Sequence, residues 1–526
     1  IDNFRMGTPI YDFETEYQLD KQLIELISCQ MINATVQKLY DPAKNAVITV
    51  NSPAKEGLAI PTEAELVAVL KEVVASEIKP FEDNVKKEPL ISEEVELKGS
   101  PVKKSKLNEA MGTTEWTLKN GVKVVVLPTQ YKQDQILFNI SMDGGMSLVS
   151  TEDKVSFEDN IWALFQSNAG ISKFSGTQVP KMLAGKNLSV SPYIGGTKHG
   201  VSGSSTPKDF ETALQIAYLY FTDPRFDEKE YETGIQQIKA ILPNIANNPQ
   251  FIFQNEMNKI LYGNNPRVVE LNDETLAKAN LATIERVYRE LFKDAAGATL
   301  TITGNVDIET LKPMVEKYIG SIKKGKKAAQ VNKANLIGFA KGQVDQTVTI
   351  PMQTPKSTVL QLYSAYMPID TKTEVALEVG KYILDMIYTK TIREEEGGTY
   401  GVGVAMVGQR YPHERALIQV SFDTNPEMAE KLADLAIKGL KDLATNGPEV
   451  EKFNMAIENF KKNIPESRIN NSYWANNIRT YLRHGIDYDA EYEAALKSVT
   501  PEDVKTLMQA VLAQGNFIQI MLAPAE

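Results

Sequence analysis

Two segments of this 526-residue chain recur later in the same chain. The helical pattern EYETGIQQIKAIL recurs as KFNMAIENFKKNI, with Tyr231 aligned to Phe453. The pattern ATIERVYRELFKDAAGATLTITGNV recurs as TPEDVKTLMQAVLAQGNFIQIMLAP, with Val287 aligned to Val504. Both members of this second pair are typical of an amphipathic helix, a Gly-containing turn and an alternating strand. Because two different segments recur at nearly the same spacing, 222 and 217 residues, the sequence predicts a duplicated domain.

The helix, turn and strand pattern of the second pair occurs a third time near the start, as NATVQKLYDPAKNAVITVNSP from Asn33. A domain tail with no body before it predicts that the chain begins inside an earlier copy and is part of a longer protein. The predicted division is a preceding copy's tail (1–58), a linker with one helix near Glu63–Ser76 (59–111), a first full copy (112–322), a second linker (323–343) and a second full copy (344–526).

Each full copy mixes strand and helix patterns, which predicts an α+β fold. We expect tandem homologous domains, each an antiparallel β-sheet packed with α-helices, preceded by the tail of another copy. The first copy opens with EWTLKNGVKVVVLPT, in which Asn120 and Gly121 have the chemistry of a hairpin turn.

Composition disfavours several classes of function. The 68 acidic and 57 basic residues give a net charge of −11, which argues against a nucleic-acid partner. Short lysine runs such as KKSK and KKGKK lie in stretches that we expect to be solvated linkers. The single cysteine, Cys29, excludes an intrachain disulfide and is expected to be buried in a helix. No apolar run approaches the roughly 20 residues of a membrane span.

Metal and nucleophile motifs are weak in this sequence. The three histidines, His199, His413 and His484, are too far apart for a helix to present two imidazoles on one face. We expect His199 and His413 to lie in loops or turns. His484 precedes Asp487, Asp489 and Glu491, which leaves a metal site open, although a solvated loop is the interpretation that we favour. No G-x-S-x-G elbow or phosphate-binding glycine motif is present.

The stretch TIREEEGGTYGVG, residues 391–403, allows two interpretations. A predicted amphipathic helix over Ala376–Glu394 stops at Gly397 and Gly398, and TYGVGVAMVG then predicts a strand. In the simpler interpretation, Arg393 pairs with a neighbouring carboxylate near the helix C-terminus and Tyr400 packs at the start of the strand. In the other interpretation, the turn holds both side chains for chemistry.

The arginine and tyrosine seven positions apart, after a helix and before a Gly-rich strand, resemble the pitrilysin, insulin-degrading-enzyme and mitochondrial-processing-peptidase family of inverted-zincin metallopeptidases. The repeat length and the stretch from Thr117 to Val149 resemble the C-terminal half of bacterial four-domain zinc proteases in that family. The resemblance implies that Arg393 and Tyr400, in the fourth domain, bind the substrate backbone near the scissile bond and stabilise its oxyanion. It also implies a zinc site with an H-x-x-E-H motif on an N-terminal half.

The chain departs from the pattern of an active domain. The stretch Phe157–Gly176, where H-x-x-E-H would lie, contains no histidine, and the third-ligand position offers only Lys239, Ala240 and Ile241. We therefore expect no metal in this chain and a degenerate first copy, with Glu158 and Asp159 on a surface face of a helix.

These observations predict the non-catalytic C-terminal half of a zinc endopeptidase that degrades peptides in a closed chamber. Its partners would be the N-terminal catalytic half of the same polypeptide and peptide substrates, and its zinc would be on that half. The alternative is an inert scaffold or peptide-binding protein of the same fold. The family suggests a periplasmic or cell-envelope location.

Overall fold

The computed structural model describes residues 2–39, 47–51, 59–77 and 88–525. The chain divides into two compact units, Ile1–Asn84 and Val85–Glu526. No helix in these described ranges is long and apolar enough to cross a membrane.

The regular secondary structure in the described part of the first unit is helical. Its helices are α1 (Asp2–Met6), α2 (Phe13–Leu26), α3 (Cys29–Leu39) and α4 (Glu63–Ala75). Thr62 and Glu65 form a capping box at the start of α4, which explains the predicted helix there. In the described part of this unit, none of the helices contains a buried residue, and large apolar side chains such as Phe4 and Phe13 are more than 80 % exposed.

Two expectations for the first unit need correction. The helix predicted from Asn33 lies within α3, but the described residues 47–50 form no strand, and the predicted turn before them lies outside the described residues. Cys29 is helical, as expected, but exposed rather than buried. Both differences have the same physical reason: a strand and a buried thiol need a sheet and a core, and this unit shows neither in its described part.

The first sheet of the second unit contains the predicted hairpin, as two adjacent antiparallel strands. Its strands are β1 (Val102–Asn108), β2 (Thr113–Leu118), β3 (Lys123–Pro128), β4 (Ile136–Asp143), β5 (Leu188–Ile194), β6 (Lys198–Ser205) and β7 (Thr299–Gly304), in the order β1-β2-β3-β7-β4-β6-β5. Strands β3 and β7 are parallel, and the other neighbours are antiparallel. Asn120, in the β2–β3 turn, donates through Nδ2 to the carbonyls of Ile319, Gly320 and Ile322, so the hairpin turn is fixed from outside.

The second sheet contains β8 (Gln343–Ile350), β9 (Ser357–Tyr366), β10 (Gly403–Gln409), β11 (Arg415–Thr424) and β12 (Phe517–Pro524), in the order β10-β11-β9-β12-β8. Strands β8 and β12 are parallel and the other neighbours antiparallel. The first sheet has the same order, β5-β6-β4-β7-β3, over its equivalent strands. This shared order is what a duplicated domain predicts.

Helices cover one face of each sheet. The helices of the first copy are α5 (Asp159–Asn168), α6 (Gln178–Met182), α7 (Phe210–Thr222), α8 (Glu228–Ala246), α9 (Pro249–Leu261), α10 (Asp273–Lys278), α11 (Leu281–Leu291) and α12 (Ile308–Tyr318). The helices of the second copy are α13 (Thr371–Tyr388), α14 (Ala429–Asn446), α15 (Val450–Arg468), α16 (Asn471–His484), α17 (Tyr488–Ser498) and α18 (Pro501–Ala513). Each set encloses its own apolar core, so the fold is α+β as predicted.

The two copies pack on each other through equivalent helices. Helix α9 of the first copy buries Phe253 against Ile518 and its neighbours in the second sheet. Helix α16 of the second copy buries Ile478 against Val125 of the first sheet. Burial of each such side chain contributes about 1.5–3 kcal/mol. The helices before them, α8 and α15, each contain a proline, Pro243 and Pro465, at matching positions of the repeat.

Described parts of both expected linkers contact the first copy. Strand β1 lies in the stretch expected to be a linker and pairs with β2 as an edge strand, and its lysines point to the exposed side, as is common on protected edges. In the second linker, the Asn335 amide donates to the Ser147 carbonyl at 2.8 Å and the Phe339 ring stacks on Tyr262. Although these stretches are polar in composition, they are held against the first copy by hydrogen bonds and a ring contact.

Candidate functional site

Helix α13 carries the Arg393 side chain to the end of the second core. Asp370 caps its N-terminus, accepting a hydrogen bond of 2.7 Å from the backbone N–H of Thr373. The buried face of α13 packs into the second core, and its last residue, Tyr388, is fully buried and donates to the Ala436 carbonyl at 2.7 Å. The helix then widens into a π-helical turn, Thr389–Glu394, a geometry that occurs frequently at functional sites. The predicted helix end at Glu394 is therefore confirmed.

A glycine pair makes the turn that follows. Gly397 has φ +65°, in the left-handed region that favours glycine, and its N–H donates to the Arg393 carbonyl. Gly398 packs so closely against Met428 that an added Cβ would lie 2.6 Å from its sulfur. The Thr424 hydroxyl donates to the Gly398 carbonyl at 2.6 Å. The turn is thus anchored by residues from the following β11–α14 segment, which the local sequence pattern did not indicate.

This turn brings Arg393 and Tyr400 together on the surface. The guanidinium carbon of Arg393 lies 5.9 Å from the centroid of the Tyr400 ring, within cation–π range, and the Tyr400 side chain is 95 % exposed. In the described ranges, no carboxylate lies within 4.0 Å of the Arg393 guanidinium; the neighbouring Glu396 pairs with Lys431 instead. The local ion pair and the packing of Tyr400 that the simpler interpretation expects are not seen among the described residues, and both side chains are exposed.

The predicted strand begins later than expected. Strand β10 starts at Gly403 rather than at Thr399, because the Thr399 hydroxyl bonds to both the N–H and the carbonyl of Gly401 and closes a local turn. Tyr400 therefore lies at the tip of a turn, outside the sheet.

The first copy has an aromatic cluster around helix α5, the stretch in which the resemblance would place an H-x-x-E-H motif. Helix α5 presents Trp162 and Phe165, which pack with Phe226 and Tyr288 at ring-centroid distances of 5.6–6.4 Å. Contrary to expectation, Glu158 is buried: its carboxylate caps α5 by accepting from two backbone N–H groups, and burial raises its pKa. Such residues do not fit a zinc ion, which requires imidazole, thiolate or carboxylate ligands around an open position.

Both ring nitrogens of His199 are hydrogen-bonded to the backbone, so neither is available to a metal. His199 lies in strand β6 rather than in a loop; it is 2 % exposed, its Nδ1 accepts from the Gly145 N–H and its Nε2 donates to the Leu291 carbonyl. Burial lowers its pKa to about 4, so the ring is neutral at physiological pH. In the part of the chain that is described, no group of three or more His, Cys, Asp and Glu side chains converges on a common point.

The carboxylates after His484 are engaged by protein groups. Asp487 caps helix α17, Asp489 receives Nε of Arg468 at 2.9 Å, and Glu491 accepts the Thr371 hydroxyl at 2.6 Å. Their local cluster in the sequence reflects helix capping and an ion pair.

Comparison with known proteins agrees with this description. A family model described as the peptidase M16 inactive domain matches residues 278–460. The matched segment covers about a third of the chain, and it is similar to the inactive, C-terminal domain of peptidase M16 proteins.

The similar curated proteins are described as zinc proteases or probable zinc proteases. The chain is 25 % identical over 571 residues to the zinc protease PQQL-like of Arabidopsis thaliana, covering 100 % of this chain and 54 % of that protein. It is 23 % identical over 521 residues to the probable zinc protease PqqL of Escherichia coli, covering 96 % of this chain and 54 % of that protein. The chain therefore spans about half the length of the curated relatives that it matches.

Solved structures share the fold. The periplasmic protease PqqL from Escherichia coli superimposes with a TM-score of 0.71 at 19 % identity, over 100 % of this chain and 57 % of that chain. The ferredoxin protease FusC, solved in complex with Arabidopsis ferredoxin, gives a TM-score of 0.72 at 16 % identity, over 99 % of this chain and 57 % of that chain.

Proposed function

We propose that this chain is the non-catalytic C-terminal half of a zinc-dependent endopeptidase that degrades peptides in a closed chamber. The observation that carries the proposal is the exposed Arg393–Tyr400 pair. A fixed scaffold holds a cation and a phenol side by side, and among the described residues Arg393 has no carboxylate partner within 4.0 Å, while Tyr400 is 95 % exposed.

The chemistry of the pair suits a substrate carbonyl. The Arg393 guanidinium and the Tyr400 hydroxyl are both hydrogen-bond donors, and a peptide carbonyl becomes more negative as its carbon is attacked. Donors that are already oriented toward that oxygen stabilise the transition state more than the ground state. We infer that Arg393 also orients the substrate backbone near the scissile bond, since its planar group can donate two hydrogen bonds to neighbouring carbonyls.

The zinc would be supplied by an N-terminal half of the same polypeptide, where it would polarise the scissile carbonyl and activate a water molecule. The relatives' description as zinc proteases supports this assignment. The aromatic cluster around α5 supports a structural role for the first copy of this chain.

The exposed apolar surface of the first unit supports the existence of that partner. Large apolar side chains on α2 and α3, such as Leu23, Ile24 and Met31, are more than half exposed. Several large apolar side chains exposed on two consecutive helices favour an interaction site there. We propose that residues 1–58 complete a domain of the N-terminal half, that 59–111 and 323–343 connect domains, and that 112–322 and 344–526 are the third and fourth domains.

A periplasmic or cell-envelope location is part of the proposal. It is supported by the similarity to PqqL from Escherichia coli, whose structure is described as that of a periplasmic protease.

The test is to measure zinc content and peptide cleavage for this chain alone and after combination with the N-terminal half. We expect the chain alone to bind well under one equivalent of zinc and to leave a fluorescence-quenched unfolded peptide intact. The combined protein should contain zinc and cleave the peptide. Stoichiometric zinc or cleavage by the isolated chain would contradict the proposal. An inert combined protein that retains zinc and still binds the peptide would instead favour the scaffold alternative.

A further inference from the structure

A cavity of about 600 Å³ lies where helix α16 crosses the open face of the first sheet. Its walls come from strands β4, β6 and β7, from α16 and from the β10–β11 connection. We call it the basic cavity, because its charged lining consists of Lys198, Arg410, Arg479, Arg483 and His484 against Asp143 and Glu414. Basic side chains therefore outnumber carboxylates in a chain whose net charge is −11.

Two of the basic groups have carboxylate partners. Arg483 lies 2.6 Å from Asp143 and stacks on the Tyr411 ring, with its guanidinium carbon 3.9 Å from the ring centroid. Arg410 is nearly buried and lies 2.7 Å from Glu374, outside the cavity lining. Its Nη1 is buried and has no hydrogen-bond partner among the described residues, so this guanidinium is only partly satisfied.

Lys198 and Arg479 have no such partner. No carboxylate of the described ranges lies within 4.0 Å of either cation, and the Arg479 guanidinium donates to the side chain of Asn476. Desolvation by the surrounding protein lowers the pKa of Lys198; the nearby Arg483 and Arg479 lower it further, and the charge of Asp143 offsets part of this effect. Desolvation also lowers the pKa of Arg479. Cations that are partly desolvated and repel each other are costly unless an anion offsets them.

A second pocket, lined by hydroxyl groups and apolar side chains, adjoins the cavity. This pocket of about 320 Å³ shares Thr301 and Arg479 with the basic cavity. Its floor includes Ser189 and Ser191 on the edge strand β5, and Ser202 on β6. We call this pocket the serine groove. Hydroxyl groups can both donate and accept, so they suit the backbone of a peptide in any sequence.

The combined shape favours a chain segment over a single small ion. The basic cavity supplies positive charge at one end, and the serine groove supplies hydroxyl groups on β5 and β6 beside it. We propose that the basic cavity and the serine groove bind acidic segments of peptides in an extended conformation. This inference rests on the proposed function only in taking peptides as the ligand; it requires neither zinc nor Arg393.

The test is direct binding to this chain, without any cleavage. A fluorescently labelled ten-residue peptide that alternates Glu and Ser is compared by anisotropy with a peptide in which Gln replaces each Glu. At low ionic strength we expect the acidic peptide to bind about tenfold more tightly or better, since one close charge pair accounts for about this factor. The preference should fall as salt is added.

The double variant Lys198→Gln and Arg479→Gln tests whether these two cations cause the preference for the acidic peptide. It should remove most of the preference for the acidic peptide, whereas Lys229→Gln combined with Lys239→Gln, an equal charge change at exposed positions of α8, should leave it within about twofold. Because the cavity variant removes unpaired cations, its melting temperature should equal or exceed that of the parent chain.

Several outcomes would overturn the inference. They are equal binding of the two peptides, equal loss in the two double variants, or binding of inorganic tripolyphosphate without binding of the acidic peptide. The binding assay uses this chain alone and involves no cleavage. Its result therefore does not depend on whether the combined protein is an endopeptidase.

Discussion

Replacing Gly397 by alanine isolates the backbone geometry that joins Arg393 to Tyr400. Gly397 has φ +65°, and a Cβ added there would meet no atom within 4 Å. The substitution therefore adds no clash, and its cost is the intrinsic cost of a left-handed residue, roughly 1–2 kcal/mol. If the native turn is kept, the free energy of unfolding falls by that amount.

The matched variant is Gly397→Asn, because asparagine tolerates the left-handed region better than alanine. Urea unfolding followed by circular dichroism should show a loss of about 1–2 kcal/mol for alanine and a clearly smaller loss for asparagine. The peptidase turnover of the combined protein should follow the same order, since a relaxed turn moves Tyr400 away from Arg393. Equal losses for the two variants would refute the argument, because they would show that the left-handed backbone at Gly397 is not what the turn requires.

Three further predictions concern the scaffold. Lowering the pH from 6.5 toward 4 should cost up to about 3 kcal/mol of stability, because the buried His199 has a depressed pKa of about 4 and the unfolded chain binds its proton first; thermal melts of the parent and His199→Asn should differ in pH slope, and identical slopes would contradict this. Asn120→Ala should destabilise by about 2–3 kcal/mol through the carbonyls it leaves unpaired, against under about 1 kcal/mol for the exposed Asn247→Ala, as judged by urea midpoints; similar shifts would refute it. Gly439→Ala places a Cβ 2.6 Å from the buried Tyr388 ring and should cost about 1–3 kcal/mol and lower the melting temperature, whereas an unchanged melting temperature would show that the ring can move freely.

The duplicated fold could be predicted because its signals are local and repeated. The helix, turn and strand ending in β7 recurs at β12, and one amphipathic period is enough to identify each element. The edge strand β1 could not be predicted in the same way. Its sequence VKKSKLN has the polarity of a linker, and only pairing with β2 makes it a strand.

The proximity of Arg393 to Tyr400 could be predicted from the sequence, but their surroundings could not. Arg393, Gly397 and Tyr400 lie within eight positions, so a helix stop and a turn follow from the sequence. The exposure of Tyr400 depends on anchors such as Thr424, which the local pattern does not contain. The basic cavity could not be predicted from the sequence at all. Lys198 and Arg479 belong to different copies of the repeat, and they meet only where α16 crosses the first sheet.

The most direct test of the central claim is the turnover of the combined protein with Arg393→Ala and with Tyr400→Phe. Lys390→Ala, on the same π-helical turn, and Tyr131→Phe, at another exposed tyrosine, are the matched controls. If the pair stabilises the transition state, each site variant should lower kcat by about 100-fold or more, with KM changed little and zinc content unchanged, while both controls stay within about twofold of the parent. Site variants that turn over peptide as fast as the controls would contradict the claim that this chain completes the active site.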